Sequence, residues 1–166
     1  MTLESRRTKT GRCLLSMAMI LTIVASIGFN WLGWTGHHIF NPEWHPHARF
    51  HGAQLSFLIV ALSLGCGWLL WRRSVEPRLA VGLVVAVLVL FWAGEFFAFA
   101  IPGASPSPVL GQPNTLQLLS VEIHGNLLFS GFVIGLSLLG GVLATPRAEA
   151  AATEWTTLSP ASGGRP

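Results

Sequence analysis

Polar and apolar positions separate along this chain into four apolar blocks joined by shorter polar connections. The blocks cover 14–34, 47–71, 78–101 and 115–144, each at least the roughly 20 residues that a helix needs to cross the hydrocarbon of a bilayer. The pattern predicts an all-α fold, an integral membrane four-helix bundle over 13–144. A basic segment, 1–12, precedes it and is expected to be disordered or to lie on anionic headgroups. A tail, 145–166, rich in Ala, Thr, Ser, Gly and Pro, follows it and is expected to be disordered. The first block follows a basic start, as the core of a signal peptide does, but it is too long and ends in Asn30, Trp31 and Trp34 instead of a small-residue cleavage site. It is read as a retained span.

Helix-breaking residues mark the joints between blocks. Gly36 can end the first helix. Asn41 followed by Pro42 is a helix-start signal, giving a short turn over 42–44, and Pro46 restarts a helix that runs to Trp71. Glu76 and Pro77 open the third span; Pro102 and Gly103 stop it. Pro106, Pro108 and Pro113 predict a stiff, extended connection. Asn114 with Gln117 three residues on reads as a capping box, which would open the fourth span at 115. Within that span Gly131 and Gly135 form a GxxxG pair, a signal for close helix packing.

Charge orders the spans relative to the membrane. The chain has 166 residues, 51% hydrophobic and 10% charged, with a sequence pI near 9.7. Its basic residues do not cluster as a nucleic-acid-binding patch would. Arg6, Arg7, Lys9 and Arg12 precede span one, Arg72, Arg73 and Arg78 lie between spans two and three, and Arg147 follows span four; the other two connections hold only Arg49. Under the positive-inside rule both termini are cytoplasmic, and the connection after span one faces outward from a bacterial cytoplasmic (inner) membrane. Trp31, Trp34 and Trp44 then fit the outer aromatic belt, Trp68 and Trp71 the inner one. Cys13 and Cys66 form no CxxC and are expected to be small apolar packers.

Candidate chemistry concentrates in that outward connection. The stretch HHIFNPEWHPHARFHGAQ, residues 37–54, carries five of the six histidines. His47, His51 and Gln54 share one helix face at i, i+4 and i+7. Counting about 20 residues across each span from its cytoplasmic edge puts His51, Glu95, Glu122 and His124 in one layer near the outer boundary. Glu122 and His124, two residues apart in a helix, differ by about 200° and cannot share a face. His124 would share its face with Gln117, Ser120 and the GxxxG pair.

Several chemistries are open. His47, His51 and His124, with His38 as a weaker candidate, could hold iron, copper or zinc, because neutral imidazole is the commonest metal ligand and i, i+4 pairs aim two rings at one ion. A haem with one axial histidine from span two and His124 as the other is a variant. Glu95 and Glu122 could act as general acid or base toward a lipid-soluble small molecule, since a desolvated carboxyl holds its proton near neutrality. These groups could equally be solvated at the interface or make structural hydrogen bonds. Trp92 beside Glu95 could line a pocket. Whether the chain is an enzyme stays open, as does a non-catalytic role, with the His-rich connection gripping a membrane partner protein or a second copy.

The run His38, Phe40, Asn41, Pro42, Trp44, Pro46, His47, Ala48, Phe50, His51 resembles the signature H-x-F-N-P-x-W-x-P-H-A-x-F-H of small four-span membrane proteins from bacteria and fungi, whose biochemical role is unassigned. The resemblance implies the four-span layout over most of the chain, excluding both tails, and brings no catalytic residues with it. In architecture alone the chain is also similar to sterol isomerases of the emopamil-binding type, which hold His and Glu in a small helical bundle.

Overall fold

Leu3 to Asn30 form one continuous helix, α1 (Leu3–Asn30), so that the basic segment is its first three turns. The sequence reading leaves residues 1–12 outside the bundle; tertiary contacts draw them in. Gly11 is buried, and Arg7 donates hydrogen bonds to the carbonyls of Thr145 (3.3 Å) and Val142 at the far end of the chain. The computed structural model describes residues 3–32, 39–98, 100–104, 115–118 and 121–146, with the backbone alone at 3–5, 117, 118, 121 and 122. His38, the connection 105–114 and the tail beyond 146 lie outside the described residues.

Three further helices follow, α2 (Pro46–Trp71), α3 (Pro77–Ala98) and α4 (Gly125–Ala144). All four are long and apolar enough to cross a membrane. Contacts between the helices fix their directions. Ser16 meets Trp71 and Trp31 meets Phe57, so α1 and α2 run antiparallel. Gly11 meets Gly140 and Phe29 meets Phe129, so α1 and α4 do too. α3 likewise opposes α4, with Val85 against Gly141 and Trp92 against Phe129. The helices form a ring in chain order, closed by the extensive α1–α4 contact, with α2 and α4 at opposite corners. One end of the bundle gathers the end of α1, the start of α2, the end of α3 and the start of α4; we call it the histidine end. Arg7, Arg12, Arg72, Arg73 and Arg78 mark the other, arginine end.

The core is made of small and branched side chains. Leu15, Ala18, Thr22, Val84, Ser130, Val133 and Ser137 are fully buried. Their hydroxyls return to the carbonyl four residues earlier: Thr22 to Ala18 (2.8 Å), Ser130 to Asn126 (2.8 Å), Ser137 to Val133 (2.7 Å). In this way these three hydroxyls are buried with a partner for their protons.

The fourth span begins ten residues later than the sequence reading has it. Residues 115–118 and 121–124 pair as a hairpin instead, β1 (Thr115–Leu118) antiparallel to β2 (Val121–His124), in register Thr115↔His124 and Gln117↔Glu122. The segment TLQL-LS-VEIH alternates polar and apolar residues with β-branched Thr, Val and Ile, and this period of two outweighs a capping box of one Asn and one Gln. The correction changes the face argument as well. In a ribbon positions 122 and 124 share a side, together with their partners 117 and 115, whereas in a helix they would diverge.

The GxxxG expectation is also corrected. Gly131 and Gly135 are exposed, and a Cβ at either would meet nothing within 4 Å. The close approach is elsewhere: a Cβ on Gly11 would lie 2.6 Å from the Gly140 carbonyl oxygen, and one on Gly141 would lie 2.6 Å from Val85 Cγ2. Small residues let two backbones meet there. We expect Gly11→Leu to destabilise the bundle by about 1–3 kcal/mol, the usual cost of overpacking, while Gly131→Leu and Gly135→Leu are tolerated. Thermal unfolding in mild detergent, followed by circular dichroism, would read the difference.

Candidate functional site

At the histidine end the chain after α1 turns back on itself and is pinned by apolar contacts. The amide of Ile39 donates to the Asn30 carbonyl (3.2 Å), satisfying an end of α1, and Ile39 is buried. Asn41 then makes a tight turn: its side-chain oxygen accepts from the Glu43 amide (2.9 Å) and its carbonyl from the Trp44 amide (3.2 Å). The side chains of Trp44 and Ile39 close over the backbone of Gly52 in α2, where a Cβ would find them 3.7 and 3.8 Å away. Trp31 stacks edge-on against both Phe40 and Phe57, at 6.0 and 5.6 Å between ring centroids.

This clasp sets the start of α2. His45 is the N-cap residue, and its Nδ1 accepts from the amide of His47 (3.2 Å), with Pro46 in the first turn. Sequence reasoning missed this role; the signal was a hydrogen-bonding side chain directly before a proline that opens a helix. One turn further, the rings of His47 and His51 meet. Their Nε2 atoms are 3.0 Å apart, and the rings are nearly perpendicular, with centroids 4.4 Å apart. In this contact one ring donates and the other accepts, in roles set by their tautomers. Both side chains are exposed, as is Gln54 on the same face.

The other candidates stand at the same end on other helices. Glu95 is half-buried in the last turn of α3. His124 is half-buried and is the N-cap residue of α4, with extended backbone (φ −70°, ψ 133°). Glu122 is known here by its backbone pairing with Gln117. His51, Glu95, Glu122 and His124 thus all lie in elements at the histidine end. The structure does not bring His47 and His51 together with His124, since α2 and α4 occupy opposite corners. Among the described residues no three His, Cys, Asp or Glu side chains come close enough to hold one ion.

Trp92 packs into the core of the bundle. It is buried, its Nε1 donates to Thr22 Oγ1 (2.9 Å), and its ring packs edge-on against Phe91 and Phe129 at 5.2 and 5.1 Å. The bond joins α3 to α1 across the core.

A model of a family of unknown function, DUF6640, matches residues 17–126, well over half of the chain. The chain belongs to this family. No curated protein and no solved structure matches it. The DUF6640 match takes in the histidine stretch, α2, α3 and the hairpin, and stops two residues into α4. His38, His47, His51, Glu95, Glu122 and His124 all fall inside it, whereas Gly11, Gly140 and Gly141 fall outside.

Trp92→Phe keeps an aromatic ring but removes the N–H bond to Thr22, and we expect the loss of that bond to cost roughly 0.6–2 kcal/mol, the range for hydrogen bonds between membrane helices. A double-mutant cycle with Thr22→Val would isolate that bond. Additive effects in the cycle would mean that the contact contributes only by packing.

Proposed function

We propose that this DUF6640 protein is an integral membrane protein whose His47–His51 pair binds a first-row transition-metal ion at the membrane surface. The observation that carries the reading is the 3.0 Å between the two Nε2 atoms. Two imidazole nitrogens held at about 2.0–2.1 Å from one ion stand roughly 3 Å apart, or a little more in a tetrahedral shell. Coordination needs both Nε2 lone pairs, so the donating ring moves its proton to Nδ1 and each exposed ring turns to aim at the ion, while the nitrogen separation changes little. Because both rings are exposed, it can reach them from water. The start of a helix disfavours a cation by about 0.3–1 kcal/mol, little beside two coordinate bonds. Imidazole suits zinc, copper, nickel and iron alike. Water completes the shell, and His38 is the further ligand that the sequence offers.

The arginine pattern supports placing the histidine end outward. Arg7, Arg12, Arg72, Arg73 and Arg78 lie at the opposite end of the bundle, and Arg49 alone among the described arginines lies near the histidines. The bias toward one side follows the positive-inside rule. A fluorescent protein fused to the C-terminus should then be bright in bacterial cells and alkaline phosphatase fused there inactive; the reverse pattern would turn the bundle over.

Titration calorimetry on tag-free protein with Zn²⁺, Cu²⁺ and Ni²⁺ tests the site. We expect one ion per chain. His47→Ala and His51→Ala should each weaken binding by at least the roughly 10–100-fold that even outer-shell changes cost. Acidification should abolish it, since only neutral imidazole coordinates. Binding that survives both substitutions, or no binding at neutral pH, would remove this reading.

A further inference from the structure

At the opposite end of the bundle α1 and α2 part to leave a groove of about 340 Å³. Its walls are apolar: Met19, Ile20 and Ile23 from α1, Leu64 and Trp68 from α2. It exists because the floor residues on α2 are small. Gly67 has no side chain, and a Cβ added there would meet nothing within 4 Å. One turn earlier Ser63 is buried, with its hydroxyl lacking a hydrogen-bond partner. From the level of Trp71, whose Nε1 donates to Ser16 Oγ (2.9 Å), to that of Ser63 is eight residues of α2. That is about 12 Å at 1.5 Å per residue, close to half of the roughly 30 Å hydrocarbon core. The groove therefore has the length of a single leaflet and opens toward the lipid side of the bundle.

Its surface end is cationic. Arg72 and Arg73 follow Trp71 directly, both exposed, and the Arg72 guanidinium lies over the Trp68 ring at 4.7 Å, which holds it against the groove wall. On α1, Arg12 stands one turn before the lining residue Ser16, on the same face of the helix, half-buried and with its Nε lacking a partner.

We propose that the α1–α2 groove binds one anionic phospholipid, with an acyl chain lying along Gly67 and Ser63 and the phosphate held by Arg12, Arg72 and Arg73. Apolar walls exclude a water-soluble ligand of this charge, and three guanidiniums at headgroup depth select a phosphate bearing net negative charge over a zwitterion. The site is separate from the His47–His51 pair, at the other end of α2, and stands whether or not that pair binds metal.

Native mass spectrometry of the full chain released from nanodiscs of mixed phosphatidylglycerol and phosphatidylcholine tests it. Wild type should retain one phosphatidylglycerol per chain in preference to phosphatidylcholine. Gly67→Leu places its Cβ in open space at the groove floor and should lose the bound lipid while its thermal unfolding stays that of wild type. Arg12→Ala/Arg72→Ala/Arg73→Ala leaves the groove open and should erase the preference, on the order of tenfold or more from the combined attraction of three cations. Equal retention of the two lipids by wild type would overturn the proposal, as would full retention by the folded arginine variant. So would a second copy of the chain in the groove, seen as a Leu64→Cys cross-linked dimer in lipid.

Discussion

At Gly11 and Gly140 the backbones of α1 and α4 touch, and the positions of the other helices follow from that contact. Lipid tails are as apolar as leucine, so helices that pack within a bilayer gain little from hiding apolar surface and depend on close van der Waals fit. Gly11, Gly140 and Ala144 supply that fit by keeping side chains small along the α1–α4 seam. Once the seam is closed, α3 settles against the other side of α4 with Val85 over Gly141, and α2 is left to pack on α1. Trp92 reaches from α3 to Thr22 of α1 and ties the diagonal.

The same contact makes the charges at the arginine end useful to the fold. The last carbonyls of α4 have no partners within the helix, and its last turn carries no basic residue. Neighbouring helices provide the cations. Arg7 donates to the Val142 and Thr145 carbonyls, and Arg78 donates twice to Pro146 (3.3 and 3.2 Å). Guanidinium groups at a helix C-terminus also meet the negative end of its dipole. Two residues counted as topology signals therefore also finish a helix.

Around the histidines the constraint is different. Here the backbone leaves its helices, and each freed group must find a partner: Asn30 through Ile39, Asn41 through Glu43 and Trp44, the start of α2 through His45. Trp31 against Phe40 and Phe57, and Trp44 over Gly52, hold residues 39–45 against the bundle, so that His47 and His51 emerge in the first two turns of α2, exposed and in contact with each other.

What the sequence by itself determined was whatever depends on local periodicity and length. Four apolar blocks of spanning length, Pro46 and Pro77 at helix starts, and the i, i+4 relation of His47 and His51 are properties of neighbouring residues, and the structure keeps them. The hairpin at 115–124 was legible too, in its alternation, but a helical frame carried over from the long apolar run that follows obscured it. Tertiary structure decided which glycines make contact and which polar groups converge. Nothing local distinguishes Gly11, set among basic residues, from a glycine in a loose tail, or makes Gly131 and Gly135 face outward; only the partner helix does that. For the same reason depth alone could place His51 and His124 in one layer, whereas the ring of helices put their elements at opposite corners. Lateral position in a bundle is set by the seams between helices, and those are formed by residues far apart in the chain.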